Sequence, residues 1–187
     1  MNIIIFGPPG AGKGTQAKKL AHKLNNLQVS TGDMLRDEIK KDSVIGKKII
    51  DNMSHGKFVD DEIVNKLLEK IIFDPNLKNK LIFDGYPRTI SQAKNLEILM
   101  NKSNQIIEYI FFLNVNKSSI IKRIEKRKLL EKRSDDDSDT ILKRYDTYMD
   151  VTKPVLNYYS KNYNFHEIDG SLEINDIYRK IEEILKV

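Results

Sequence analysis

Five short apolar runs punctuate the chain: Asn2–Phe6, Leu27–Ser30, Leu81–Asp84, Tyr109–Asn114 and Phe165–Ile168. Rich in Ile, Phe and Val and too short for helices, they predict buried strands. Between them apolar positions recur at a spacing near 3.6. Ile63, Leu67, Leu68, Ile71 and Ile72 follow Asp60-Asp61-Glu62, an acidic turn that suits a helix N-terminus. Ile120, Ile121 and Ile124 follow Ser118-Ser119, and Ile174, Ile177, Ile181, Ile184 and Leu185 predict a last helix. A further helix is predicted over Lys13–Asn25, ended by Asn25-Asn26. Strand and helix in alternation predict an α/β fold: one parallel sheet, right-handed crossovers, and helices on both faces.

A length of 187 residues fits one domain with insertions. Apolar residues at 40% and charged residues at 32% are ordinary soluble usage, enough for a core and against intrinsic disorder. The absence of Cys excludes a disulfide scaffold, a thiol nucleophile and any Cys-ligated zinc or iron–sulfur site. The first strand-like run has no basic n-region or cleavage-site pattern before it, and no apolar run approaches the ~20 residues of a membrane helix. The expectation is a soluble, cytoplasmic protein. The net charge of +5 is compatible with nucleic acid, with phosphate-bearing small molecules, or with a merely solvated Lys-rich surface. Charge shifts locally, from basic Lys126–Arg133 to acidic Ser134–Asp139.

Gly7-Pro8-Pro9-Gly10-Ala11-Gly12-Lys13-Gly14-Thr15 follows one predicted strand and opens one predicted helix. In that setting a Gly-rich loop is a phosphate cradle: main-chain N–H groups turn inward, the helix N-terminus adds partial positive charge, and Lys13 reaches the β- and γ-phosphates. Gly14 stands where the generic pattern has the Ser or Thr whose hydroxyl ligates Mg²⁺. Thr15 is one place late, so the metal is expected to be held less directly, with more waters and other oxygen ligands.

Asp84 ends a predicted buried strand, in Leu81-Ile82-Phe83-Asp84-Gly85-Tyr86-Pro87-Arg88, and so points toward the crevice where such sheets bind ligands. It reads either as a ligand of the metal or its waters, or as a turn carboxylate. Pro87 stiffens the approach of Arg88. In Ser30-Thr31-Gly32-Asp33-Met34-Leu35-Arg36, Ser30 or Thr31 is an N-cap candidate and Arg36 lies one turn into the helix. Arg123, Arg127, Arg133 and Arg144 form a set suited to bidentate phosphate binding, with Arg123 and Arg127 on one helix face. Ser134-Asp135-Asp136-Asp137 also allows plain local charge balance.

In order and spacing these motifs resemble the adenylate kinase family over essentially the whole chain. The carriers are Gly7–Thr15 with the Gly after the Lys, Ser30–Arg36, Gly56-Lys57-Phe58-Val59, Asp84–Thr89 with Gln92, and Arg133-Ser134-Asp135-Asp136 followed by Arg144. The resemblance implies reversible transfer of the ATP γ-phosphate to AMP, giving two ADP, with Mg²⁺ and without zinc. It implies a P-loop NTPase-type core of five parallel strands, an NMP-binding insertion at about 30–59, and a lid at about 127–137. The lid resembles the short form, with five residues between Arg127 and Arg133. Carried over by position, Gly10, Ala11, Gly12, Lys13, Gly14 and Thr15 hold ATP phosphates, with Arg123 on the adenine and Arg127 on phosphate. Thr31, Arg36, Lys57, Val59, Gly85, Arg88 and Gln92 hold AMP, together with Arg133 and Arg144. Lys13, Arg88, Arg123, Arg133 and Arg144 form the catalytic set, and Asp84 orders water around Mg²⁺.

The chemistry agrees independently. A monophosphate oxygen is already ionised near neutral pH, so the acceptor needs no general base. His22, His55 and His166 are scattered without a partnered Asp or Ser and read as surface or packing residues. Transfer then rests on positioning and charge neutralisation. The expected partners are ATP and AMP or ADP, not nucleic acid or membrane, and the chain is expected to be monomeric. A UMP/CMP kinase of the same fold is the alternative. It resembles the chain less at Thr31, where that group tends to Ala, and at Gln92, where it tends to Asn. A GTPase-like switch lacks its guanine-reading Asp after Asn116-Lys117. A nucleic-acid binder lacks interleaved aromatic and basic positions.

Overall fold

The strands are β1 (Ile3–Phe6), β2 (Leu27–Ser30), β3 (Leu81–Asp84), β4 (Tyr109–Asn114) and β5 (Phe165–Asp169). They pair in parallel throughout, in the order β2-β3-β1-β4-β5. The computed structural model describes residues 1–41, 46–47, 49–50, 52, 59–131, 138–161 and 163–187, excepting the side chains of 125–141. Most of the 30–59 insertion after its first helix, together with Lys57, His55, Arg133 and the side chain of Arg127, lies outside the described residues.

Successive strand residues point to opposite faces, and both faces of this sheet are apolar. Ile4, Phe6, Val29, Leu81, Phe83 and Ile110 share one core with α3 (Asp61–Ile72), α4 (Ile90–Lys102) and α7 (Lys153–Ser160). Ile3, Ile5, Ile82, Phe111, Leu113 and Ile168 face a second core, built from α1 (Lys13–Leu24), α5 (Lys117–Glu131) and α8 (Ile174–Leu185). This is why the strand runs are continuously apolar rather than alternating. The predicted parallel sheet covered on both faces is the one observed.

Several boundaries move for local reasons. Asn2 is outside β1: its buried side chain accepts from the Leu81 N–H at 3.0 Å and donates to the Ile106 carbonyl at 2.9 Å. Asn25 is the left-handed cap after α1, with φ 53°. β5 runs one residue further than predicted, because Asp169 pairs with Asn114. Ile121 and Ile174 are exposed, so the stripes facing the sheet are Ile120 and Ile124 on α5 and Ile177, Ile181 and Leu185 on α8.

Ser30 is the N-cap of α2 (Thr31–Lys40), its hydroxyl accepting from the Asp33 N–H. After α6 (Ser138–Thr147) the chain makes a π-helical turn at Tyr148–Thr152 before α7. Such turns concentrate at functional sites, and this one faces the crevice above the carboxyl ends of the strands.

Candidate active site

The loop between β1 and α1 places Gly7–Gly12 over the carboxyl end of the central strand. Lys13 Nζ donates to the carbonyls of Gly7 at 2.8 Å and Pro8 at 3.0 Å, so the ammonium is folded back across the mouth of its own loop. Gly10, at φ +79°, packs directly on α5: a Cβ there would come within 2.8 Å of Ile124 Cγ1. The loop, like α1 behind it, is therefore set by packing as well as by backbone freedom.

Asp84, at the carboxyl end of β3, is 8% exposed. It accepts from Gln28 Nε2 at 3.2 Å. A Cβ on Gly14 would lie 3.2 Å from Asp84 Oδ2. A side chain after Lys13 would therefore press on the carboxylate, which would have to shift by a few tenths of an ångström to admit it. Among the described residues no group of three or more His, Asp or Glu gathers into a metal cage. One carboxylate beside a phosphate loop suits Mg²⁺, which keeps several waters and takes its remaining oxygens from substrate phosphates.

On the other side of the crevice the Gly85 carbonyl is a common anchor, accepting from Thr31 Oγ1 at 3.0 Å and from Arg88 Nε at 2.7 Å. Gln92 Oε1 accepts from the Arg88 main-chain N–H at 2.7 Å, while Gln92 Nε2 donates to Asp61. Arg36 pairs with Asp33 across one turn of α2. Tyr86 is buried below, its hydroxyl donating to the Gln92 carbonyl, and desolvation pushes its pKa up to about 12.

One crevice thus collects Lys13, Thr31, Arg36, Val59, Gly85, Arg88, Gln92 and Arg144 among its lining. Gly10, Ala11 and Gly12 lie in the loop at its edge, and Gly14 and Thr15 stand in the first turn of α1, with Thr15 exposed. Arg123 does not line the crevice: it sits at the surface of α5, with Nη2 3.4 Å from the Ser171 carbonyl. His22 is exposed, and His166 stacks on Tyr109 and Phe111 in the sheet, so neither described histidine reaches the crevice.

Other lining residues carry weaker sequence signals. Thr147, Tyr148 and Thr152 reach the crevice from the π turn and its approach. Arg144, Thr147 and Tyr148 share the i, i+3, i+4 face on which a helix presents neighbouring side chains, a spacing readable once Arg144 is taken as a site residue. Gln28 and Asp61, which hold Asp84 and Gln92, show no such pattern.

A Gly-rich loop that opens a helix, a carboxylate at the end of the neighbouring strand and an arginine-lined crevice on a parallel sheet are the parts that a nucleoside monophosphate kinase needs. A family model described as adenylate kinase matches residues 5–164. An adenylate kinase of Pelagibacter ubique is 48% identical over 213 aligned positions, covering all of both chains. One from Mycoplasma capricolum is 39% identical over 215 positions, again covering all of both. An adenylate kinase of Agrobacterium fabrum is 39% identical over 193 positions, covering all of this chain and 98% of its own. The chain belongs to the adenylate kinase family.

Proposed function

We propose that the protein catalyses the reversible, Mg²⁺-dependent transfer of the ATP γ-phosphoryl group to AMP, yielding two ADP. The observation that carries this reading is the convergence of Lys13, Arg36, Arg88 and Arg144 on one crevice that also has an apolar end. Two polyanionic substrates need their phosphates side by side, and guanidinium and ammonium groups offset the charge that keeps them apart.

The AMP base fits the end formed by Leu35, Val59, Val64 and Tyr86. Gln92 faces it with capacity left at both ends: Oε1 has a second lone pair and Nε2 a second hydrogen beyond their protein bonds. That complement matches the donor and acceptor of an adenine edge. Arg36, Arg88 and Arg144 take the AMP phosphate, with Lys57 and Arg133 joining them. Gly10–Thr15 and Lys13 take the ATP phosphates, with Arg127 beside them, and Arg123 lies flat on the ATP adenine.

An ionised AMP oxygen attacks the γ-phosphorus, and the bond from that phosphorus to the bridging oxygen of ADP breaks. No proton need be removed, and no histidine is needed. Lys13 leaves the Gly7 and Pro8 carbonyls to follow the charge on the transferred group. When bound with ATP, Mg²⁺ neutralises charge on the β- and γ-oxygens. Asp84 is the side chain that holds it, through water.

Water competes with AMP for the phosphoryl group, so the site has to close. We assign closure to the insertion at about 30–59 and the short lid at about 127–137. The lid is taken as short because five residues separate Arg127 from Arg133. The same reading takes the enzyme to be a cytoplasmic monomer, and no described helix is long and apolar enough to cross a membrane.

The decisive measurement is ADP formation in a coupled assay with AMP, UMP and CMP as acceptors, with and without Mg²⁺. AMP should be strongly preferred and turnover should need the metal. Faster turnover with UMP or CMP would overturn the assignment.

A further inference from the structure

We propose that Gln28 is a positioning residue for the metal, acting through Asp84. This inference rests on the reading that Asp84 holds the waters of Mg²⁺. Gln28 lies on β2 and Asp84 on β3, neighbours in the sheet. The register pairs Gln28 with Ile82 and Ser30 with Asp84, so the two side chains share a face and meet diagonally, with Gln28 Nε2 3.2 Å from Asp84 Oδ2. Among the described residues this is the hydrogen bond that Asp84's carboxylate accepts.

A carboxylate that is 8% exposed needs donors. Thr15 carries its hydroxyl one place later than the generic loop, and the residue beside Asp84 is Gly14. Its hypothetical Cβ would lie 3.2 Å from Asp84 Oδ2 and 3.9 Å from Gln28 Nε2, which places loop, carboxylate and amide in one packed group. Where the generic loop supplies an oxygen ligand directly, this chain supplies a carboxylate whose rotamer is set from the next strand. The single amide donor leaves the other lone pairs of Asp84 for metal-bound water. Outer partners of this kind typically change metal affinity by ~10–100-fold when removed, and contact through water points to the lower figure.

Two variants of the full-length protein test this. Gln28→Met keeps the side-chain length without the donor, and Gln28→Asn keeps the amide but withdraws it by one methylene. Binding of Mn²⁺ to the enzyme–ADP complex, read by electron paramagnetic resonance of the free ion, should weaken about tenfold in both. The Mg²⁺ concentration for half-maximal velocity should rise by a similar factor, while metal-free AMP affinity stays at the wild-type value. Unchanged Mn²⁺ affinity in a folded variant would overturn the role of Gln28, and so would an equal loss of metal-free AMP binding. Asp84→Asn is the reference. Should it retain Mn²⁺ affinity, the reading of Asp84 itself fails. Should it lose affinity while the Gln28 variants keep theirs, only the positioning role fails.

Discussion

Gln92 and Arg88 are tied together: the side-chain oxygen of Gln92 accepts the main-chain N–H of Arg88 at 2.7 Å. The residue proposed to read the base therefore holds the backbone of the residue proposed to grip the phosphate. Gln92→Ala removes this bond and the one to Asp61 as well. With each hydrogen bond worth ~0.5–1.5 kcal/mol, KM for AMP should rise about tenfold. A fall in kcat should accompany it, because Arg88 loses its anchor. Initial rates over a range of AMP concentrations at saturating ATP check both.

Two arginines of the expected catalytic set, Arg88 and Arg123, should separate kinetically. Arg88 lines the crevice and points from the Gly85 carbonyl, so Arg88→Ala should lower kcat by about 10³. Arg123 lies outside the crevice beside Ser171. Its loss should cost stacking on ATP, about 3- to 30-fold in apparent ATP affinity, with a smaller change in kcat. Near-wild-type turnover by a folded Arg88→Ala protein would refute its role.

Gly10→Ala probes the packing of the loop. The new methyl would meet Ile124 Cγ1 at 2.8 Å in a backbone held at φ +79°. The left-handed conformation alone costs a non-glycine residue ~1–2 kcal/mol. A loss of about 2 kcal/mol in urea unfolding is expected, with α5 shifting away from the loop.

Buried tyrosines should make alkaline pH destabilising. Burial pushes Tyr86 up to about 12 and raises Tyr148 and Tyr159 as well. In the unfolded chain a tyrosine ionises near pH ~10. The unfolded state therefore releases protons first, and stability that is complete below that value falls as pH rises toward 12. Tyr86→Phe should flatten the fall in urea midpoint above about pH 10.

Tyr159 offers the opposite case at neutral pH. It is fully buried against Phe6, and its hydroxyl has no hydrogen-bond partner among the described residues. Tyr159→Phe should be neutral or stabilising by up to about 1 kcal/mol. Tyr163 donates to Glu97, so Tyr163→Phe should be destabilising by about 1 kcal/mol. Equilibrium unfolding of the pair measures the contrast.

Backbone-level features of this protein can be read along one dimension. The Gly7–Thr15 loop, the apolar runs of β1, β3 and β4 and the acidic start of α3 depend on neighbours within a few residues, and local chemistry decides them. Continuous apolarity in the strands already implies two covered faces. Lys13 stands out through the spacing of its own loop, whereas Arg36, Arg88, Gln92 and Arg144 are singled out as site candidates by the resemblance to the family's motifs. The meeting of Gln28 with Asp84 across the β2–β3 register is another matter, as is the approach of Gly14 to the same carboxylate. The π turn that brings Tyr148 and Thr152 to the crevice, and the place of Arg123 outside it, are of the same kind. They arise from strand order and helix packing, which join residues far apart in the chain. A side chain's partner across a sheet follows from register and diagonal reach, and no periodicity in the sequence encodes either.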